Sequence, residues 1–114
     1  FILACWCGAA VLTQRPECRE ARFENADYAL TRLARPELLD RENRVAVHYE
    51  MFVMERPSGQ IFTFSETHDM RYLFLPEIEE LLAGSGFRSL QHFEFLTGKP
   101  LGPATWNGCT VAWR

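Results

Sequence analysis

Two long stretches of alternating side chains, over residues 44–55 and 61–74, constrain the fold of this chain most. A period of two is typical of a β-strand with one buried face, because successive side chains point to opposite sides. The connection at residues 56–60 holds Pro57, which presets φ for a turn, and Gly59, which accepts a positive φ. The two stretches therefore predict a long antiparallel hairpin.

Further strands flank this hairpin. Residues 28–35 predict a third antiparallel strand, and residues 36–43 supply turn residues, so the strands form a three-stranded meander. Residues 87–96 and 107–114 predict a C-terminal strand pair. His92 lies in the first of these and is predicted to be structural.

One main helix follows the hairpin. Pro76 suits its first turn, where a missing N–H costs nothing, and Gly84 or Gly86 ends it, one of them as a left-handed cap. Its predicted inward face holds Ile78, Leu81 and Leu82.

The N-terminal part of the chain gives weaker signals. Residues 1–12 are apolar and fit either a buried strand or a short helix, and residues 13–26 fit a connection or a short helix. The fold class predicted is α+β, a mostly antiparallel sheet with a three-stranded meander, a C-terminal strand pair and one main helix. Residues 1–114 are predicted to form a single domain in which residues 1–23 are an N-terminal segment of uncertain role.

Composition narrows the classes of partner. The chain has 114 residues, a formal net charge of −3 and no basic patch, which argues against nucleic-acid binding. No apolar run approaches the roughly 20 residues that a membrane span requires. Residues 1–12 superficially resemble a signal sequence but lack a basic flank, and a start at Phe1 without Met favours a fragment or a processed product.

The cysteines predict neither a metal site nor a disulfide framework. Their spacing fits no usual zinc pattern, and no metal ligands are predicted elsewhere. Buried, reduced thiols in a cytoplasmic protein are expected, with an exposed Cys18. The four are Cys5, Cys7, Cys18 and Cys109.

Several segments, in order, resemble a known family. Residues 72–87 are similar to the C-terminal pattern of class I S-adenosylmethionine (SAM)-dependent methyltransferases: an aromatic residue, a Pro-Glu helix start, paired leucines and a closing Gly-Phe. Residues 40–50 resemble the hairpin insert of bacterial members, and residues 66–72 its return strand. The residues from 96 onward resemble the last two strands of the family. The resemblance covers about residues 24–114.

This resemblance implies the C-terminal, substrate-side part of such an enzyme, in which the hairpin insert lies over the cofactor cleft and contacts the acceptor. S-adenosyl-L-methionine is the cofactor of the full enzyme. The family's glycine-rich cofactor turn has no counterpart here, since Gly84 and Gly86 follow a helix instead of opening one. No cofactor-binding residue is therefore predicted, and strong SAM binding by this chain alone is not expected. The implied partners are a small-molecule acceptor and either a second copy of the chain or a missing N-terminal cofactor-binding half.

Five residues near the hairpin are predicted to bind the acceptor. Histidine and tyrosine can accept or release a proton near a reacting group, and Arg71 can hold an anion. His48 and His68 lie on paired strands and are expected to approach each other, depending on register. The alternative is that these are polar residues on the solvent side of a half-exposed sheet. The five are His48, Tyr49, His68, Arg71 and Tyr72; no catalytic residue is assigned.

Two other functions compete with the methyltransferase hypothesis. One is a noncatalytic dimeric module that binds a small apolar ligand on the aromatic side chains Phe52, Phe62 and Phe64. The other is an inactive truncated remnant. An upstream strand followed by a glycine-rich turn would favour the enzyme over both.

Overall fold

The computed structural model describes residues 1–114 with the exception of the Asp40 side chain. The chain divides into two compact units, and each is described by itself. The first unit comprises Phe1–Arg15, Asp40–Asn43 and Arg71–Arg114. The second comprises Pro16–Leu39 and Arg44–Met70. That residues 1–114 form a single domain stays a prediction.

Seven strands and two α-helices make up the regular structure of the described residues. In chain order they are β1 (Ile2–Cys7), α1 (Gly8–Gln14), β2 (Arg19–Glu24), β3 (Tyr28–Leu39), β4 (Arg44–Glu55), β5 (Ile61–Leu73), α2 (Leu75–Gly84), β6 (Ser89–Glu94) and β7 (Asn107–Trp113). A 3-10 turn over Asp40–Glu42 joins β3 to β4. No helix in the described part of the chain is both long and apolar enough to cross a membrane.

The first unit contains a mixed sheet in the order β5, β1, β7, β6. β1 pairs in parallel with the end of β5, where Trp6 lies beside Tyr72. β7 pairs antiparallel with both β1 and β6, which confirms the predicted C-terminal strand pair. The parallel pair was not predicted, because a short apolar run does not reveal its partner.

The apolar N-terminal segment forms both of the elements that its sequence allowed. β1 passes directly into α1 at Gly8. A Cβ at Gly8 would lie 2.6 Å from the Phe74 ring, so the absence of a side chain lets that ring pack against the backbone.

Helix α2 covers the core of the first unit. Pro76 lies in its first turn, as predicted, and Gly86 after its end has φ of +86°, the left-handed conformation expected of a cap. Ile78 and Leu82 are buried with Ala112 of β7. The prediction that Leu81 also faces inward is wrong, because its side chain is 58% exposed. Ile78 and Leu82 are four positions apart and share a stripe, which leaves Leu81 about 80° from the centre of that stripe.

The second unit is a four-stranded sheet in the order β2, β3, β4, β5. Leu30 of β3 pairs with Phe23 of β2 on one side and with Val53 of β4 on the other. The predicted meander is therefore present with one strand more. Residues 19–24, predicted as part of a connection or short helix, form that additional strand.

Strand β3 is longer than its sequence suggested. The turn predicted at residues 36–43 begins only at Asp40, and Pro36 pairs opposite Val47 within the β3–β4 ladder. β2 pairs with β3 only as far as Ala34. Beyond that point one side of β3 carries no ladder hydrogen bonds, so a proline without an N–H is tolerated there.

Candidate functional site

The side chain of His48 lies on β4 between hydrogen-bonding groups of both neighbouring strands. Its Nδ1 is 3.0 Å from Thr67 Oγ1 on β5, and its Nε2 is 3.5 Å from Glu37 Oε2 on β3. A neutral imidazole satisfies both partners when Nε2–H donates to the carboxylate and Nδ1 accepts from the hydroxyl. The ring is thereby oriented, and its half-exposed edge remains open to solvent.

A surface depression of about 640 Å³ surrounds this histidine in the second unit. Arg35 forms an ion pair with Glu50 across it, at 2.9 Å. An imidazole, carboxylates, a guanidinium and hydroxyls together offer both donors and acceptors to a ligand that carries hydroxyl or amino groups. The lining residues are Arg35, His48, Tyr49, Glu50, Ser65, Glu66 and Thr67.

The His68 side chain lies on the other face of the same sheet. Its ring meets Tyr49 edge-on with centroids 4.9 Å apart, and its Nε2 is 3.3 Å from Glu66. Because side chains alternate along a strand, His48 and Tyr49 point to opposite faces. The expectation that His48 and His68 approach each other is therefore wrong. His48 contacts Thr67 on β5, and His68 contacts Tyr49 on β4.

The same alternation divides the three phenylalanines that suggested an apolar ligand site. Phe52 lies four positions from His48 and shares its face, whereas Phe62 and Phe64 share the face of His68. They do not form one cradle within this sheet.

The two remaining predicted site residues belong to the first unit. Arg71 is ion-paired with Glu77 at the start of α2. Tyr72 is completely buried, and its ring meets Phe74 edge-on at 6.0 Å. Arg71 thus already binds a carboxylate, and Tyr72 offers no exposed surface to a ligand.

His92 connects β6, β7 and α2 in the first unit. Its Nδ1 lies 2.9 Å from Thr110 Oγ1, and its Nε2 lies 3.4 Å from Glu79 Oε1. The side chain is largely buried. These contacts fit the structural role predicted for it.

Sequence reasoning missed a second cavity, of about 280 Å³, in the first unit. It opens at the carboxyl ends of the parallel strands β1 and β5, which is where open α/β sheets bind ligands. A glycine directly after an apolar strand was the available signal. Its walls are mainly apolar and include Cys7, Gly8, Leu73, Phe74, Leu101 and Thr110.

Two thiols of the first unit, Cys5 and Cys7, have raised pKa values. Burial raises the pKa of Cys5 from 9.0 to about 11, and the neighbouring Cys7, Cys109 and Glu77 add to that shift. Burial also raises the pKa of Cys7, although a backbone hydrogen bond from Gly108 opposes the shift. Since the thiolate is the reactive form, neither is an activated nucleophile. Cys18 is exposed, as predicted.

The fold is similar to that of SAM-dependent methyltransferases. The enzyme from Clostridium acetobutylicum matches with a TM-score of 0.75 and 16% identity over 98% of this chain and 43% of that one. A sugar N-methyltransferase from Streptoalloteichus sp matches with a TM-score of 0.68 and 15% identity, covering 99% and 42%. A SAM-bound amino pentose methyltransferase of calicheamicin biosynthesis, from Micromonospora echinaspora, matches with a TM-score of 0.65 and 14% identity, covering 96% and 42%.

This chain therefore has the fold of one part of a SAM-dependent methyltransferase. The chain spans less than half the length of these structures. No protein-family model and no curated protein matches the sequence.

The cavity in the first unit fits only part of a SAM molecule. Its apolar walls suit an aromatic ring or a methyl group, and Phe74 offers a stacking surface. SAM also carries ribose hydroxyls and a charged amino-acid end, which need polar or charged partners. Among the side chains that the structure describes, no acidic one lines the cavity. This cavity by itself therefore does not fit the whole cofactor.

Proposed function

We propose that this chain is the acceptor-binding, C-terminal portion of a SAM-dependent methyltransferase, and that methyl transfer requires a separate cofactor-binding portion. The observation that carries the proposal is the fold likeness, which covers nearly all of this chain and less than half of each methyltransferase. The incomplete fit of the 280 Å³ cavity to SAM supports the same division of roles. A cytoplasmic location belongs to the proposal and is supported by the free cysteines.

The acceptor site on this proposal is the depression around His48. The carboxylate of Glu37, beside His48, attracts an ammonium group, and the hydroxyls of Thr67 and Ser65 offer hydrogen bonds to hydroxyl groups of the acceptor. Amino sugars carry both groups. Two of the similar structures are a sugar N-methyltransferase and an amino pentose methyltransferase, which supports this class of acceptor.

His48 has two roles under the proposal. Its ring orientation, fixed by Glu37 and Thr67, positions one edge of the acceptor. An amine attacks only in its neutral form, so a base must first take its proton, and an imidazole is the side chain that most often does this in enzymes. The hydroxyl of Thr67 can turn away from Nδ1 to let it accept that proton.

The direct test is a titration of the ¹⁵N-labelled chain with D-glucosamine, followed by NMR. The proposal predicts shift changes at the amides of residues 48–50 and 65–67, and weaker changes with D-glucose, which lacks the ammonium group. Equal, scattered changes with both sugars, or none with either, would contradict it.

One observation favours a second candidate, a noncatalytic module that binds the same kind of ligand. The polar depression is built entirely within the second unit and needs no cofactor. The two candidates separate when the full-length gene product is assayed with SAM and an amino sugar, since only the first predicts a methylated product.

A further inference from the structure

The 280 Å³ cavity of the first unit has no role in the acceptor site proposed above. All of its lining residues belong to the first unit, whereas the depression around His48 belongs to the second. Strand β1 ends at this cavity, helix α2 begins beside it, and residues 101–103 form a further wall. We call it the first-unit cavity. Its function is independent of the proposed methyl transfer.

Glycine at two positions gives the first-unit cavity its shape. A Cβ at Gly8 would lie 2.6 Å from the Phe74 ring, and a Cβ at Gly108 would lie 2.8 Å from Cys7 Sγ. Both distances are shorter than an ordinary contact between non-bonded atoms. The Phe74 ring and the Cys7 thiol can therefore lie against the backbone because neither glycine has a side chain.

The chemistry of the walls favours an uncharged ligand. The lining side chains that the structure describes include no Asp, Glu, Lys, Arg or His. The thiol of Cys7 is uncharged at neutral pH, because burial raises its pKa from an ordinary value of 9.0. The hydroxyl of Thr110 is already hydrogen-bonded to His92, at 2.9 Å. A charged ligand would lose its hydration in this cavity without gaining an opposite charge.

The size of the first-unit cavity and the Phe74 ring favour an aromatic ligand. An apolar cavity of about 150 Å³ is large enough to hold benzene. The first-unit cavity, at about 280 Å³, is nearly twice as large, so it has room for two fused rings. A ligand ring can stack on Phe74, and the sulfur of Cys109 can contact a ring edge.

We propose that the first-unit cavity binds a small, uncharged, mainly aromatic compound of about two fused rings. Ala9 on α1 lines the cavity and is exposed, so the ligand enters beside it. An adenine ring has a similar size, but its nitrogens need hydrogen-bonding partners, and the ribose attached to it would meet apolar walls. The cavity therefore prefers an apolar ring system to a purine nucleoside.

The isoleucines of this chain provide a direct test. There are three of them, and Ile78 lines the cavity, whereas Ile2 and Ile61 lie elsewhere. The chain is labelled with ¹³C at the isoleucine δ1 methyl groups and titrated with 2-naphthol, followed by NMR. The Ile78 signal should shift and saturate with a dissociation constant below about 1 mM. Ile2 is 68% exposed and Ile61 64%, so unspecific contact with the probe would shift these two signals first.

Two further probes define the ligand class. Naphthalene-2-carboxylate has the same rings and a negative charge at neutral pH, and it should bind at least about tenfold more weakly than 2-naphthol. Adenosine should leave the Ile78 signal in place up to about 1 mM. Binding of adenosine as tight as that of 2-naphthol would overturn the proposal, because the cavity would then belong to the cofactor site.

A matched pair of variants tests the location. Ala9→Phe should weaken 2-naphthol binding by at least about tenfold, because the new ring occupies the cavity. Ala83→Phe, at an exposed position of α2 outside the cavity, should leave the binding unchanged. Phe74→Leu removes the stacking surface and should weaken binding about two- to tenfold. Circular dichroism checks that each variant is folded.

Three results would overturn the proposal. The first is an Ile78 signal that does not shift or does not saturate with 2-naphthol. The second is an equal shift of all three isoleucine signals, which would indicate unspecific contact. The third is an equal effect of Ala9→Phe and Ala83→Phe, which would place the binding site elsewhere.

Discussion

The imidazole of His48 and the hydroxyl of Thr67 lie 3.0 Å apart across two neighbouring strands, while His68, the next residue along from Thr67, points to the other face. Two histidines that seemed equivalent in the sequence therefore occupy different surfaces. One lies in a polar depression, and the other lies beside Tyr49 on the opposite face of the sheet. This difference makes them a matched pair for testing the acceptor site.

We expect His48→Gln to weaken D-glucosamine binding by about two- to tenfold, the effect of one or two hydrogen bonds. His68→Gln should leave binding unchanged, because its side chain is on the opposite face. NMR titration measures both. Since each histidine is about half exposed, neither change should lower the melting temperature by more than a few degrees. Equal weakening by both substitutions would contradict the site.

Gly8→Ala should destabilise the first unit by about 1–3 kcal/mol, because the new Cβ would lie 2.6 Å from the Phe74 ring. Phe74→Leu in the same chain should recover part of that loss. Gly84→Ala is the control, since a Cβ there meets nothing within 4 Å. Urea unfolding of these three variants and of the unsubstituted chain measures the difference. A harmless Gly8→Ala would show that the ring is free to move aside.

Leu82→Ala should cost about 2–5 kcal/mol, because the side chain is buried against Ala112 and leaves a cavity. Leu81→Ala, one residue earlier on the same helix, should cost less than about 0.5 kcal/mol, because its side chain is mostly exposed. Urea unfolding followed by circular dichroism compares the two. A large loss from the second substitution would indicate that Leu81 has a partner beyond this chain.

Stability should fall as pH rises from 9 to 11, because Cys5 is neutral in the folded chain up to about pH 11 but ionises near 9.0 once it is unfolded. Its contribution is complete below pH 9 and is lost on passing through the folded pKa. Cys5→Ala should reduce this fall, whereas Cys18→Ala, at an exposed position, should not. Thermal unfolding over this pH range measures both. Identical profiles for the two variants would show that other groups cause the fall.

The sequence alone was sufficient to predict the elements whose side chains alternate regularly or whose ends are marked by a characteristic residue. β4 begins and ends where its alternation does, and Gly86 takes the left-handed conformation that ends α2. The structure of the other elements depends on which strands pair with one another. Residues 19–24 are mostly polar and become a strand only because β3 offers them an edge, and Pro36 stays in β3 because β2 has already ended.

The candidate site could be predicted only in part. The alternation of side chains indicates that His48 and Tyr49 point to opposite faces. Whether His48 on β4 meets His68 on β5 depends on the register of the two strands, which the sequence does not give. That register brought Thr67 to His48 and placed His68 beside Tyr49 on the opposite face. Glu37 could not be foreseen as a partner, because it lies within the segment that was expected to be a turn.

The measurement that tests the central claim most directly is a paired calorimetric titration of the chain with D-glucosamine and with S-adenosylhomocysteine. An acceptor-binding portion predicts saturable heat with the amino sugar, lost in His48→Gln, and none with S-adenosylhomocysteine up to millimolar concentration, about −4 kcal/mol. Tight binding of S-adenosylhomocysteine without any binding of the amino sugar would contradict it. The chain would then contain the cofactor site instead of the acceptor site.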